Sequence, residues 1–293
     1  MSYYDKQQRS EPTLSYEVFP PKNAAGWGAL YETLAAISQR SPDFISVTYG
    51  AGGSTREKTL DLVSRIQREL EIPGVAHLTC VGHSRQELSG ILNALEAAGI
   101  GGIMALRGDP PRGQKSFTPH AEGFSHASDL IALARPNFQF RIGCAFYPEK
   151  HPEAATLDED IAYLKLKQDQ GADFAVSQLF FDNDAYYRFR ERACLAGVAI
   201  PLVAGIMPVS SLSQLRRFQD MSGATIPAKL TKFLGEGDDE VITARGIEYG
   251  LSQCIELLDN RVAGLHLYTL NRSNATTSIT DELRGLGYLP VRS

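Results

Sequence analysis

A chain of 293 residues with 43% hydrophobic and 22% charged residues lies near the average for a soluble globular protein, and its length suits one large α/β domain. The net charge of −5, with lysine and arginine spread along the chain, excludes the basic stripe that nucleic-acid binding requires. The longest apolar runs, such as 199–209, are broken by Pro201, Gly205 and Pro208 and are too short to span a membrane.

The first ten residues contain no apolar core of a signal peptide, so residues 1–13 are expected to form a flexible arm, residues 14–293 a single domain, and the protein to stay in the cytoplasm. From residue 14 onward, short apolar runs of strand length alternate with segments of helical period. The predicted strands are 14–19, 44–49, 75–81, 102–106, 142–147, 174–180, 202–207 and 265–270. Several are apolar on both faces, as parallel strands covered by helices must be. Between them, Leu88, Ile91, Leu92 and Leu95 repeat at helical spacing, and so do Ile247, Leu251, Cys254, Ile255 and Leu258. Capping boxes are expected at Ser54/Glu57, Ser84/Glu87, Thr156/Glu159 and Ser211/Gln214, and helix ends at Gly99 and Gly171.

Eight such units can build a doubly wound sheet or a closed barrel. After the first strand, Pro20-Pro21-Lys22 cannot make a phosphate-binding glycine turn, and Gly50-Ala51-Gly52-Gly53-Ser54 after the second has the wrong spacing for one. The expected fold is therefore α/β, a (βα)8 TIM barrel, with extra helices over 226–260 before the eighth strand, read as a decoration lacking its own core. Cys80, Cys144, Cys194 and Cys254 are far apart with no C-x-x-C pair, so neither a disulfide framework nor a zinc site is expected.

In a barrel the chemistry sits at the C-terminal ends of the strands. These ends carry Glu17, then Thr48 and Tyr49, His77 and Thr79, Arg107-Gly108-Asp109, Tyr147 with Glu149 and His151, Gln178, and finally Thr269, Asn271 and Arg272. Glu17 has aromatic and apolar neighbours, which should raise its pKa and suit it to donate a proton; the alternative is a glutamate paired with a barrel arginine. Arg107 offers a planar fork and Asp109 an acceptor for a heterocycle, unless the two simply pair with each other. The six histidines show no metal-ligand spacing, and no Gly-x-Ser-x-Gly elbow of a hydrolase is present. Asp160, Tyr163 and Lys167 share one helix face, read as solvated. Gln214 and Phe218 could cover a flat ligand, although Gln214 also has a capping role.

The segments Tyr16-Glu17-Val18-Phe19-Pro20-Pro21-Lys22, Ser46-Val47-Thr48-Tyr49-Gly50, His77-Leu78-Thr79-Cys80, Ala105-Leu106-Arg107-Gly108-Asp109-Pro110, Tyr147-Pro148-Glu149-Lys150-His151-Pro152-Glu153 and Tyr268-Thr269-Leu270-Asn271-Arg272 resemble, in order, the methylenetetrahydrofolate reductase family. The resemblance runs over roughly residues 14–287. It implies a barrel that holds FAD without a Rossmann domain and reduces 5,10-methylenetetrahydrofolate to 5-methyltetrahydrofolate by a ping-pong mechanism, with NADH or NADPH as donor. Homo-oligomers are usual among similar proteins. Glu17 would protonate N10 of the folate, and Asp109 would bind the pterin and lie near the flavin. Thr48, His77, Arg107, Gly108, Asp109, Ala127, Tyr147, His151, Ala154, Asp160 and Lys167 match FAD-contacting positions. Gln178, Gln214 and Arg272 match substrate positions, and Phe218 matches an aromatic that stacks on nicotinamide or folate. His126 stands beside the FAD site where tyrosine is frequent, and Tyr163 and Leu166 replace more polar residues. Regulation by S-adenosylmethionine is not expected. A pterin-binding barrel of another reaction type, such as a methyltransferase, and a non-catalytic flavoprotein subunit remain as alternatives.

Overall fold

The eight apolar runs form eight parallel strands that close into a barrel in the order β1 to β8. The computed structural model describes residues 11–49, 56–109 and 118–290. In chain order the elements are β1 (Thr13–Val18), α1 (Gly26–Ser38), β2 (Phe44–Val47), α2 (Arg56–Glu69), β3 (Gly74–Thr79), α3 (Arg85–Ala97), β4 (Gly102–Leu106), α4 (Ala127–Asn137) and β5 (Arg141–Phe146). They continue with α5 (Leu157–Asp169), β6 (Phe174–Ser177), α6 (Asn183–Leu195), β7 (Leu202–Ile206), α7 (Leu212–Ser222), α8 (Ala228–Leu234), α9 (Asp239–Asp259), β8 (Gly264–Tyr268) and α10 (Asn274–Gly285). The Gly50–Ser54 turn with its Ser54 cap, the Pro110-Pro111 stop and residues 1–10 of the expected arm lie outside the described residues.

Alternation along the strands divides the apolar side chains between two clusters. Outward residues such as Val18, Leu78 and Leu267 pack beneath the helices, with Leu88, Ile91, Leu92 and Leu95 of α3 forming the buried stripe that their spacing predicts. Inward residues Phe44, Val75, Phe174 and Val203 fill the barrel itself. Phe44 and Phe174 come from strands on opposite sides, and their rings meet at 5.8 Å, so they span the interior and floor it. A Cβ at Gly143 would lie 2.6 Å from the Phe174 ring, so only glycine leaves that ring its place.

Ser84 and Glu87 form the full capping box, while Thr156 and Ser211 cap through their hydroxyls and their box partners reach back one residue further, Glu159 to Ala155 N–H and Gln214 to Ser210 N–H. Gly99 and Gly171 follow α3 and α5 at φ +76° and +110°, the left-handed conformation that ends a helix. The predicted eighth strand ran to residue 270; it ends at Tyr268 because Leu270 and Asn271 both turn to positive φ.

The helices before β8 are present as α8 and α9, and they do possess a small core, contrary to the sequence expectation. Leu215 of α7, Leu230 and Leu234 of α8 and Ile242 of α9 are buried together with Met207 and Val209, which follow β7. This cluster anchors the extra helices to the loop beside the barrel mouth.

Candidate active site

A cavity of about 500 Å³ opens at the C-terminal end of the barrel, within the usual range for a small-molecule site. Every strand-end residue proposed to touch a cofactor lines it: Thr48, His77, Arg107, Gly108, Asp109 and Tyr147 near the barrel axis, and His126, Ala127, His151, Ala154, Asp160 and Lys167 on the loops and helices around it. Glu17 and Gln178 line it too. Gln214, Phe218 and Arg272 do not. Gln214 is held at the start of α7 by its capping bonds, Phe218 packs against the small cluster under α7 with the Arg217 guanidinium 5.0 Å from its ring, and Arg272 is exposed.

The helix face carrying Asp160, Tyr163 and Lys167 is not a simple solvated face. All three line the cavity, and only Tyr163 is substantially exposed. Asp160 is buried and accepts the backbone N–H of His151 at 2.9 Å, while Lys167 Nζ donates to the Ala145 carbonyl at 2.6 Å. The Tyr147 and His151 rings meet edge to face at 4.6 Å, and the His126 ring lies nearly parallel to that of Tyr163. These residues make one wall of fixed polar groups.

Arg107 does not pair with Asp109. Its guanidinium grips Glu153 with two nitrogens, Nη2 to Oε1 at 2.9 Å, and the pairing raises the arginine pKa and holds the Glu153 carboxyl below its ordinary value. Asp109 is left exposed at the mouth. Burial, reinforced by Asp109 and Asp160, pushes the Tyr147 hydroxyl up to about 12, so it stays protonated as a hydrogen-bond donor.

Glu17 sits at the bottom of the cavity with its side chain 21% exposed. Its Oε2 lies 3.5 Å from His77 Nε2 and 3.7 Å from His266 Nε2. Burial alone pushes this carboxyl up, as its apolar sequence neighbours suggest, but polar contact with His266 and the charge that His77 and His266 acquire on protonation outweigh it. The carboxyl is held below its ordinary value, which reverses the sequence expectation. Burial likewise holds His77 below the ordinary histidine value, with Glu17 opposing. Among the described residues no arginine takes part, which speaks against the barrel-arginine alternative.

His266 escaped the sequence analysis. It lies between Leu265 and Leu267 in a run that reads as core, and only its two-residue offset from Tyr268 signals that it faces inward. Three further strand-end residues are structural: Asn271 and Thr269 bond the backbone of β1 and its continuation, and the Tyr49 hydroxyl meets His83 Nε2 at 3.0 Å.

The site fits a polar ligand. His77 Nε2 and Thr79 Oγ1 are buried without hydrogen-bond partners and border the cavity. Gly108, at φ +90°, keeps the wall thin where a Cβ would lie 2.6 Å from Val81. Among the described residues no group of three His, Cys, Asp or Glu side chains is arranged to hold a metal ion, the Glu17–His77–His266 cluster included.

A family model described as methylenetetrahydrofolate reductase matches residues 3–284. The chain is 36% identical over 272 residues to the 5,10-methylenetetrahydrofolate reductase of Escherichia coli K12, covering 92% of this chain and 90% of that protein. It is also 36% identical over 285 residues to methylenetetrahydrofolate reductase (NADH) 1 of Arabidopsis thaliana, covering 93% of this chain but 48% of that one, so it spans about half the length of its plant relatives. Among solved structures, an uncharacterized Clostridium thermocellum protein described as binding two copies of 5-methyl-5,6,7,8-tetrahydrofolic acid superposes with a TM-score of 0.67 over 97% of this chain and 99% of that one. At 14% identity that likeness speaks for the barrel alone. The ordered strand-end motifs, the barrel they build and the near full-length match together lead to one conclusion: the chain belongs to the methylenetetrahydrofolate reductase family.

Proposed function

We propose that this chain reduces 5,10-methylenetetrahydrofolate to 5-methyltetrahydrofolate, with FAD in the barrel mouth and NADH or NADPH as donor, the two substrates using the site in turn. The observation that carries the reading is a carboxyl at the bottom of a ligand-sized cavity, grouped with two imidazoles and placed beneath a ring of polar strand ends. Bound flavin supplies hydride transfer. Glu17, although the two imidazoles favour its carboxylate form, is the group that takes up a proton and delivers it to N10 of the folate, so that the ring opens before reduction. Asp109, exposed at the mouth and free of Arg107, accepts N–H donors of the pterin. Arg107 and the N-terminus of α4 at Ala127 offer positive charge and backbone N–H groups to phosphate oxygens. Tyr147, protonated at all working pH values, donates, and Gln178 presents an amide beside it. Deep placement of Glu17 keeps bulk water from competing for its proton.

We further infer a cytoplasmic role in one-carbon metabolism, supplying methyl groups for methionine synthesis. No helix among the described residues is long and apolar enough to cross a membrane, which supports that setting.

The test is anaerobic. Protein loaded with FAD should lose its flavin absorbance with NADH or NADPH and regain it on adding 5,10-methylenetetrahydrofolate, and Glu17→Gln should slow the recovery by about 10²–10⁴-fold. Failure to take up flavin, or a bleached flavin that methylenetetrahydrofolate does not reoxidise, would overturn the proposal.

A further inference from the structure

The barrel interior above Phe44 and Phe174 is not apolar. Ser15 and Glu17 of β1, Ser46 of β2, His77 of β3 and His266 of β8 all enter it, and the parallel register sets Ser15 beside His266 and Glu17 beside both Ser46 and Tyr268. His266 is 2% exposed, stacked on Phe44 at 5.8 Å and meeting the Tyr268 ring edge-on. Burying an imidazole in such a layer is costly unless both nitrogens are used. Nδ1 is used, at 2.7 Å from Ser15 Oγ. Nε2 lies 3.5 Å from Ser46 Oγ and 3.7 Å from Glu17 Oε2, both long, and catalytic contacts of this kind tighten when a ligand closes the site.

We propose that His266 is the positioning residue for Glu17, and that with Ser15 it satisfies the carboxyl in both of its charge states. This rests on Glu17 being the proton donor of the reaction proposed above. The Ser15 hydroxyl has one proton and two acceptors in reach, His266 Nδ1 at 2.7 Å and the Leu265 carbonyl at 3.3 Å. With the hydroxyl donating to Nδ1, the ring proton is on Nε2 and faces Glu17 as a carboxylate. With the hydroxyl turned to Leu265, Nδ1–H donates to Ser15 Oγ and the Nε2 lone pair accepts from Glu17 as a carboxylic acid. The acid state holds one proton more, on Glu17, and that is the proton that leaves to the folate nitrogen; between the two arrangements the imidazole exchanges tautomers. The titratable groups facing Glu17 are His77 from β3 and His266 and Tyr268 from β8, with Tyr147, which follows β5, beyond Tyr268; Ser46 from β2 is neutral. Tyr268 stays protonated, since burial raises it well above its ordinary value.

Two measurements test this. In the pH profile of flavin reoxidation by 5,10-methylenetetrahydrofolate, the limb where Glu17 loses its proton should move upward by about 1 pH unit in His266→Asn, because a group favouring the carboxylate has gone, and in the same direction by less in Ser15→Ala. Independently, nitrogen NMR of histidine-labelled protein should show the His266 ring nitrogens shifting in Glu17→Gln, whose amide cannot change charge. Unmoved limbs in both variants, or His266 nitrogens identical with and without the Glu17 carboxyl, would overturn the proposal. If His266→Asn does not fold, Ser15→Ala and the NMR comparison decide. Wild-type protein that fails to reoxidise would sink the functional reading instead, leaving the NMR result to judge the Glu17–His266 coupling.

Discussion

The side-chain amide of Asn271 brackets the backbone of Phe19, accepting its N–H at 3.0 Å through Oδ1 and donating to its carbonyl at 2.7 Å through Nδ2. Phe19 lies two residues beyond Glu17, whose own carbonyl accepts from Thr269 Oγ1 at 2.7 Å. The end of β8 thus fixes the strand that carries the proposed acid. Asn271→Ala removes both bonds and should lower stability by about 1–3 kcal/mol, measured by denaturant unfolding; Asn271→Asp, which keeps an acceptor and loses the donor, should fall between the two.

Stability should decline on the acid side in two stages. In the unfolded chain His77 takes up its proton near the ordinary histidine value of 6.5, whereas burial delays this in the folded chain. The unfolded state then binds more protons, so stability is full above that value and is lost as pH falls below it. The Glu17 carboxyl is held below its ordinary 4.5, so its contribution is present above that value and disappears as pH drops through the folded one. Thermal melts of ligand-free protein from pH 8 down to 3 should show both stages, and His77→Gln should flatten the first.

Two helical glycines should respond to alanine with opposite signs. Gly246 in α9 lies against the Val209 backbone, and a Cβ there would come within 1.9 Å of the carbonyl oxygen. Gly246→Ala should cost about 1–3 kcal/mol by forcing α9 off the loop after β7. Gly90 in α3 is exposed with nothing within 4 Å of an added Cβ, so Gly90→Ala should gain about 0.5–1 kcal/mol. Urea unfolding of the two variants side by side checks the contrast.

Glu153 neutralises Arg107 at the cavity edge. Because the carboxylate is more than half exposed, solvent screens the pair and its worth is at most about 1 kcal/mol. Glu153→Gln should therefore tighten binding of phosphate-bearing FAD by roughly two- to five-fold while leaving riboflavin binding unchanged. Titration followed by flavin fluorescence at two salt concentrations separates these outcomes.

The barrel was legible because parallel strands covered by helices must be apolar, and eight such runs alternate with helical stripes. Glu17, Arg107 and Asp109 were legible because barrel chemistry gathers at strand ends, where polar residues stand out. His266 was hidden for the opposite reason: it sits inside a strand between two leucines, and its importance depends on a parallel register with Ser15 that closes only when residue 266 meets residue 15. The sign of the Glu17 shift was missed through the same gap, since sequence neighbours report burial while the imidazoles that outweigh it arrive from β3 and β8. The Asp160–Lys167 face looked solvated because helical spacing says which residues share a side, not what that side confronts.

The aromatic floor made by Phe44 and Phe174 gives this barrel the character of a well sunk from one end. In the proposed reaction each reactant reaches Glu17 through the cavity mouth that would also hold the cofactor. The electron donor and the folate then share that mouth, so an excess of either should inhibit the other. Mutual substrate inhibition at high concentration is thus the expected outcome, checked by steady-state rates as donor and folate are each raised.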